Sequence, residues 1–170
     1  MTSSEKAQLL RMRAHAKGYL ADARILQRMT FGSSDGGYLL QLIGFEVLLK
    51  AVLRLNGTMS GASHKYRPLF HALPKHVRDR LLASAGARFG SHADFSNLDA
   101  LLDAWSSNFV NLRYAYEAYE GMTAEESAKQ GEDWIAAGAK TEDADFQYYP
   151  LELQALTEAL QEELSRGLTA

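Results

Sequence analysis

The chain has no cysteine. That absence excludes a disulfide framework, thiolate metal ligands and a cysteine nucleophile together. Proline is scarce: only Pro68, Pro74 and Pro150 occur in 170 residues, so long helices can run between them. No segment alternates polar and apolar residues for the length of a strand, and no sheet is expected. The most apolar stretch, Tyr38–Leu55, is interrupted by Glu46, Lys50 and Arg54, which argues for a buried helix and against a membrane span. Met1–Lys6 is polar, and Arg11 and Arg13 follow among periodic apolar residues; the continuous apolar core of a signal peptide is missing. The expectation is a cytoplasmic chain with no membrane association. A basic surplus is missing as well, with 18 Lys and Arg against 21 Asp and Glu. Coating nucleic acid without sequence preference needs many cations to displace phosphate counterions, so that function is not expected. A local basic patch stays open.

What is present reads as one domain over residues 1–170, long enough to bury a core. Thr2 and Glu5 have capping-box spacing. Leu9, Met12, Ala16, Tyr19, Ala23 and Leu26 then recur at steps of three or four, so a first helix begins near Ser3 and fades at the turn Thr30–Gly37. A second helix, Tyr38–Asn56, is apolar nearly all round and is expected at the centre of the bundle. Its charges Glu46, Lys50 and Arg54 sit four apart in one stripe. The stripe is either a solvated edge with a Glu–Lys pair or the wall of a cleft or subunit contact. After the loop Gly57–Ser63, short helices are expected at Lys65–Leu73, with Pro68 in the first turn, and at Lys75–Ala85. A polar connection, Gly86–Ser96, leads to a long helix, Asn97–Glu120. Its stripe is Leu98, Leu101, Leu102, Trp105, Phe109, Leu112 and Tyr116. An acidic connector at about 121–149 follows, with Thr123 and Glu126 spaced to cap a short helix and Trp134 and Ile135 available to pin it. Pro150 opens a last helix to about residue 166, buried through Leu153, Leu156, Leu160 and Leu164. The fold class is therefore all-α: an up-and-down bundle of about five main helices.

The five histidines, His15, His64, His71, His76 and His92, do not fall three or four apart on one helix. No metal site or cofactor is expected from them. No nucleophile elbow, phosphate loop or dinucleotide fingerprint occurs. The densest polar and aromatic cluster is Asn108–Glu120. On a continuous helix Arg113 neighbours Phe109, Tyr116 and Glu117. It is either half of an ion pair with Glu117 or a phosphate grip ringed by Tyr114, Tyr116 and Tyr119, since guanidinium binds phosphate bidentately and tyrosine rings stack on bases.

Three ordered segments resemble the HEPN family of small helical bundles: Phe45–Gly57, with its Glu–Leu–Lys–Ala pattern ending in glycine; Ser63-His64-Lys65 followed by Leu69 and Leu73; and Phe109–Tyr119 around Arg113. They span about half the chain. The resemblance implies a homodimer, often with a protein partner encoded nearby, and in many members metal-independent ribonuclease activity in toxin–antitoxin, antiphage or RNA-processing systems. It also implies an active site built across the dimer from an arginine followed four to six residues later by histidine. Arg113 matches the arginine. Glu117, Ala118, Tyr119 and Glu120 stand where the histidine is due. Tyrosine titrates too high and glutamate too low to replace it in ordinary surroundings. The expectation is thus a HEPN-like homodimeric binding or regulatory module without standard ribonuclease activity. RNA or a nucleotide would bind at Arg113, Tyr116, Asn108, Glu46 and Lys50. The alternative is a divergent metal-independent endoribonuclease using Arg113 with Glu117, Tyr119 or His64 at a dimer cleft. An unrelated bundle that binds a small ligand or a protein remains a third reading.

Overall fold

The computed structural model describes residues 1–31, 34–59, 61 and 63–169. Parts of the expected turns at 30–37 and 57–63 lie outside the described residues. The architecture is all-α, with no strand among the described residues. Its helices are α1 (Ser3–Met29), α2 (Asp35–Leu55), α3 (Tyr66–His71), α4 (Lys75–Phe89), α5 (Leu98–Asn111), α6 (Ala124–Ala136) and α7 (Pro150–Thr169). Short 3-10 segments lie at Gly90–His92, Leu112–Tyr119 and Thr141–Asp143. No helix among the described residues is long and apolar enough to cross a membrane.

Local sequence accounts for the helix starts. Thr2 Oγ1 accepts from the Glu5 amide while the Glu5 carboxylate accepts from the Thr2 amide, closing the expected capping box. Thr123 and Glu126 close a second one at α6. Ser34 caps α2 through the Gly37 amide, so that helix starts three residues before the expected Tyr38. α4 runs through Gly86 to Phe89, beyond the expected end at Ala85, and α7 passes Gly167 to Thr169.

α2 is the central element. Its Leu42, Phe45, Leu48, Leu49, Val52 and Leu53 are fully buried. α1 lies antiparallel on it, because Gly37 approaches Ala23 and Gln27 while Gly44 approaches Leu20 and Ala16. α7 runs parallel to α2: Tyr148, just before α7, accepts at its carbonyl from Tyr38 near the start of α2, and Gly167 meets Leu55 at the far end. α4 is antiparallel to α7, with Arg80, Ser84 and Arg88 reaching Glu163, Glu162 and Glu158 in turn. α3 and α5 pair in the same way through Tyr66–Ser106, Arg67–Asp103 and His71–Asp99.

Two expectations are corrected. The long helix does not reach Glu120. α5 ends at Asn111, and Leu112–Tyr119 is a 3-10 segment with a kink at Tyr114 (φ −134°, ψ 42°). The burial pattern gives the reason: Leu112 is the last buried residue of the stripe, and Tyr116 is 72% exposed. Past Leu112 no core contact holds α geometry, and a run of tyrosines favours it weakly. Secondly, Ile135 does not pin the connector. It is 66% exposed, and α6 buries no residue. Trp134 is held within the connector by its own indole, which donates to the Lys140 carbonyl.

Candidate functional site

The connector is fastened instead at residues 147–149. Trp105 Nε1 and the Tyr38 hydroxyl both donate to the Tyr148 carbonyl, and Asn108 Nδ2 donates to the Gln147 carbonyl at 2.7 Å. Asn108 is buried, and its amide is engaged there. This joint ties the last turns of α5, which carry Phe109, to the segment before α7.

Phe109 is the hub of the site. It is partly buried against the core cluster. The His64 imidazole stacks on it, with centroids 5.4 Å apart and planes 16° apart. The Arg113 guanidinium lies 5.0 Å from the same ring centroid and 5.9 Å from that of Tyr114. Tyr114 in turn meets Tyr116 edge to face at 6.4 Å. Arg113, Tyr114 and Tyr116 are exposed. An accessible cation thus sits among aromatic rings.

His64 is fixed from its other side by α2. Its Nδ1 lies 2.9 and 3.0 Å from the two carboxylate oxygens of Glu46. A carboxylate only accepts, so Nδ1 carries the proton and Nε2 of the neutral ring is a free base. Glu46 also accepts from Lys50 Nζ at 2.8 Å. The i,i+4 pair expected from the sequence exists, yet Glu46 is buried at 7% relative exposure while Arg54 is exposed. The stripe is therefore part of a packed polar cluster, more than a solvated edge. Ser106 Oγ accepts the Tyr66 amide at 2.8 Å and anchors the chain just after His64 onto α5.

His64, Glu46 and Lys50 are thus joined in one polar cluster, and Arg113 shares the Phe109 ring with His64. Glu117 is not brought to Arg113. In 3-10 geometry residues three apart eclipse, so the i,i+4 contact is lost; Glu117 is exposed and makes no ion pair among the described residues. Tyr119 points toward the connector and donates to Asp145 Oδ2 at 3.1 Å. Burial, followed by that carboxylate, pushes its phenol above the ordinary tyrosine value, so less of it is available as phenolate near neutral pH than of a free tyrosine. Burial raises Tyr66 and Tyr38 far more strongly.

Sequence spacing missed the bond between Glu46 and His64, which are 18 residues apart. Among the described residues no three His, Asp or Glu side chains converge as a metal-ligand set. No family model, curated protein or solved structure matches the chain.

Proposed function

We propose that this chain is a HEPN-like homodimeric module that binds the phosphate and base of RNA, or of a nucleotide, on the face built around Phe109. The observation that carries it is the placement of the exposed Arg113 guanidinium over Phe109, beside Tyr114 and Tyr116 and next to a histidine on the same ring. Arginine supplies two-pronged phosphate recognition, and exposed rings give bases a stacking surface worth about 1–3 kcal/mol each. Recognition confined to such a patch fits a protein whose net charge is −3. A toxin–antitoxin or antiphage role, with a partner encoded nearby, follows from the resemblance alone.

One observation favours a second reading, a divergent metal-independent endoribonuclease. The His64–Glu46 pair is a base held by a carboxylate, and Arg113 is a cation on the ring that His64 stacks against. Cleavage by 2′-hydroxyl attack needs a proton acceptor and a cation on the phosphoryl oxygens. His64 Nε2 would take the 2′-proton as the 2′-oxygen bonds to phosphorus, and Arg113 would hold the developing charge while the P–O5′ bond breaks and the leaving 5′-oxygen takes a proton from water.

Incubation of the intact protein with mixed single-stranded RNAs in EDTA separates the two. Binding without cleavage is the expected result. Cleavage that survives EDTA and disappears in His64→Ala and Arg113→Ala would replace the first reading with the second. Neither binding nor cleavage by any RNA would overturn both. Light scattering behind size exclusion checks the dimer, and a strict monomer at micromolar concentration would contradict it.

A further inference from the structure

A second site lies on the other side of α2. Gln41 and Lys50 are nine residues apart, about two and a half turns, so they leave that helix on opposite faces. On the Gln41 side α1 and α7 both rest on α2 but diverge from one another. Between them is an open groove of about 590 Å³, within the size range of small-molecule sites.

Its charge is opposite to that of the whole molecule. Arg13, Lys17, Arg24 and Arg88 line it against only two carboxylates, Glu158 and Glu162. Arg88 engages both acids, at 2.9 Å for Glu158. Arg13, Lys17 and Arg24 on α1 have no acidic partner among the described residues. Three polar atoms of the lining are buried without any hydrogen-bond partner: Arg13 Nε, Arg88 Nε and Gln41 Oε1. Buried polar atoms are nearly always satisfied, and leaving one unpaired costs about 1–3 kcal/mol. Two orphan donors and one orphan acceptor in one groove describe a ligand with complementary groups.

Cations run along the α1 wall of the groove, with Arg13 and Lys17 toward one end and Arg24 nearer the other. Arg13 and Lys17 are one helical turn apart, with side chains about 5–6 Å from each other, a spacing that holds one phosphate between them. Toward the other end are the uncharged amides Gln27 and Gln41, linked at 3.3 Å, with the Gln41 oxygen left over. Leu20 and Leu153 supply apolar surface between. A groove of about 590 Å³ has room for a ligand of nucleoside monophosphate size.

We infer that this groove binds a phosphorylated small molecule with an uncharged hydrogen-donating head, of nucleoside monophosphate size. The phosphate sits at Arg13 and Lys17. The head donates to Gln41 Oε1. Because the site is separated from the Phe109 face by α2, it is independent of the function proposed above.

The test is isothermal titration calorimetry of the intact protein with adenosine, guanosine, cytidine and uridine 5′-monophosphates, with inorganic phosphate alongside. At least one nucleotide should bind saturably, at least tenfold more tightly than phosphate. Arg13→Ala with Lys17→Ala should weaken it tenfold or more, and Gln41→Leu should weaken it several-fold. Amide chemical shifts of the unmodified protein give the same answer without substitution: perturbations should cluster on α1, Gln41 and α7. Binding by none of the four nucleotides at millimolar concentration would overturn the inference. So would binding insensitive to the groove substitutions, or shifts absent from α1, Gln41 and α7.

Discussion

At the scale of single residues, the Glu46 carboxylate decides the chemistry of the Phe109 face. It is buried and accepts from both Lys50 and His64. A carboxylate in that position does two things at once. It holds the lysine stem against α2, and it fixes which imidazole nitrogen faces outward. Nitrogen NMR of the imidazole at neutral pH should therefore find neutral His64 protonated at Nδ1 and bare at Nε2. In Glu46→Gln that preference should weaken, because an amide can offer either an oxygen or an NH2 to the ring. Finding the proton on Nε2 of the wild-type ring would contradict the arrangement. Arg113 shows the opposite case. Its expected partner Glu117 requires an α-helix that ends two residues before it, and its actual neighbours are the Phe109 and Tyr114 rings. A guanidinium resting on rings keeps its N–H groups available for phosphate, whereas one clamped by a carboxylate does not.

At the scale of elements, two glycines inside helices have opposite surroundings. A Cβ built on Gly44 would lie 2.8 Å from Leu20 Cγ and 2.9 Å from its Cδ2, so α1 and α2 approach more closely there than any side chain allows. Gly86, inside α4, has nothing within 4 Å of such a Cβ. The two positions should thus respond to alanine with opposite signs. Gly44→Ala should cost about 1–3 kcal/mol by overpacking. Gly86→Ala should gain up to about 1 kcal/mol from helix propensity. Urea denaturation of both variants checks the pair. A stabilising Gly44→Ala would mean that α1 and α2 are not packed as described. The elements also show where sequence reading succeeds. Both capping boxes, the central apolar α2 and the leucine face of α7 were legible because local spacing determines them. The break after Asn111 was not. It follows from burial ending at Leu112, and which turn of an apolar stripe is the last to meet the core is decided by tertiary packing, not by local spacing. The Gln41 groove was hidden for a related reason: it lies between α1 and α7, whose separation in space no periodicity records.

At the scale of the whole molecule, α4 and α7 are fastened by carboxylates, and that couples stability to pH. Burial raises the Glu163 carboxyl, but hydrogen bonds from Arg80 and Arg166 outweigh it and hold it below the ordinary glutamate value. Glu162 is held low by Arg88 and Ser84. Groups with a lowered folded-state pKa stabilise the fold fully above the unfolded value, about 4.3, and lose that contribution as pH falls through the folded one. The melting temperature should stay level from neutral pH to about 5 and drop below about 4. Glu163→Gln should flatten that drop while lowering the plateau, because Arg80 and Arg166 lose their charged partner. A profile in Glu163→Gln parallel to the wild type would remove Glu163 from the account. The bundle also carries two chemically different faces on either side of α2. Arg113, Phe109 and His64 lie on one, and Arg13, Lys17 and Gln41 lie on the other. The Phe109 face is the central claim, and fluorescence anisotropy of a labelled single-stranded RNA titrated with the intact protein tests it most directly. Saturable binding should weaken at least tenfold in Arg113→Ala, with circular dichroism and melting temperature unchanged. Equal binding by wild type and Arg113→Ala, or no binding by either at low salt, would contradict it.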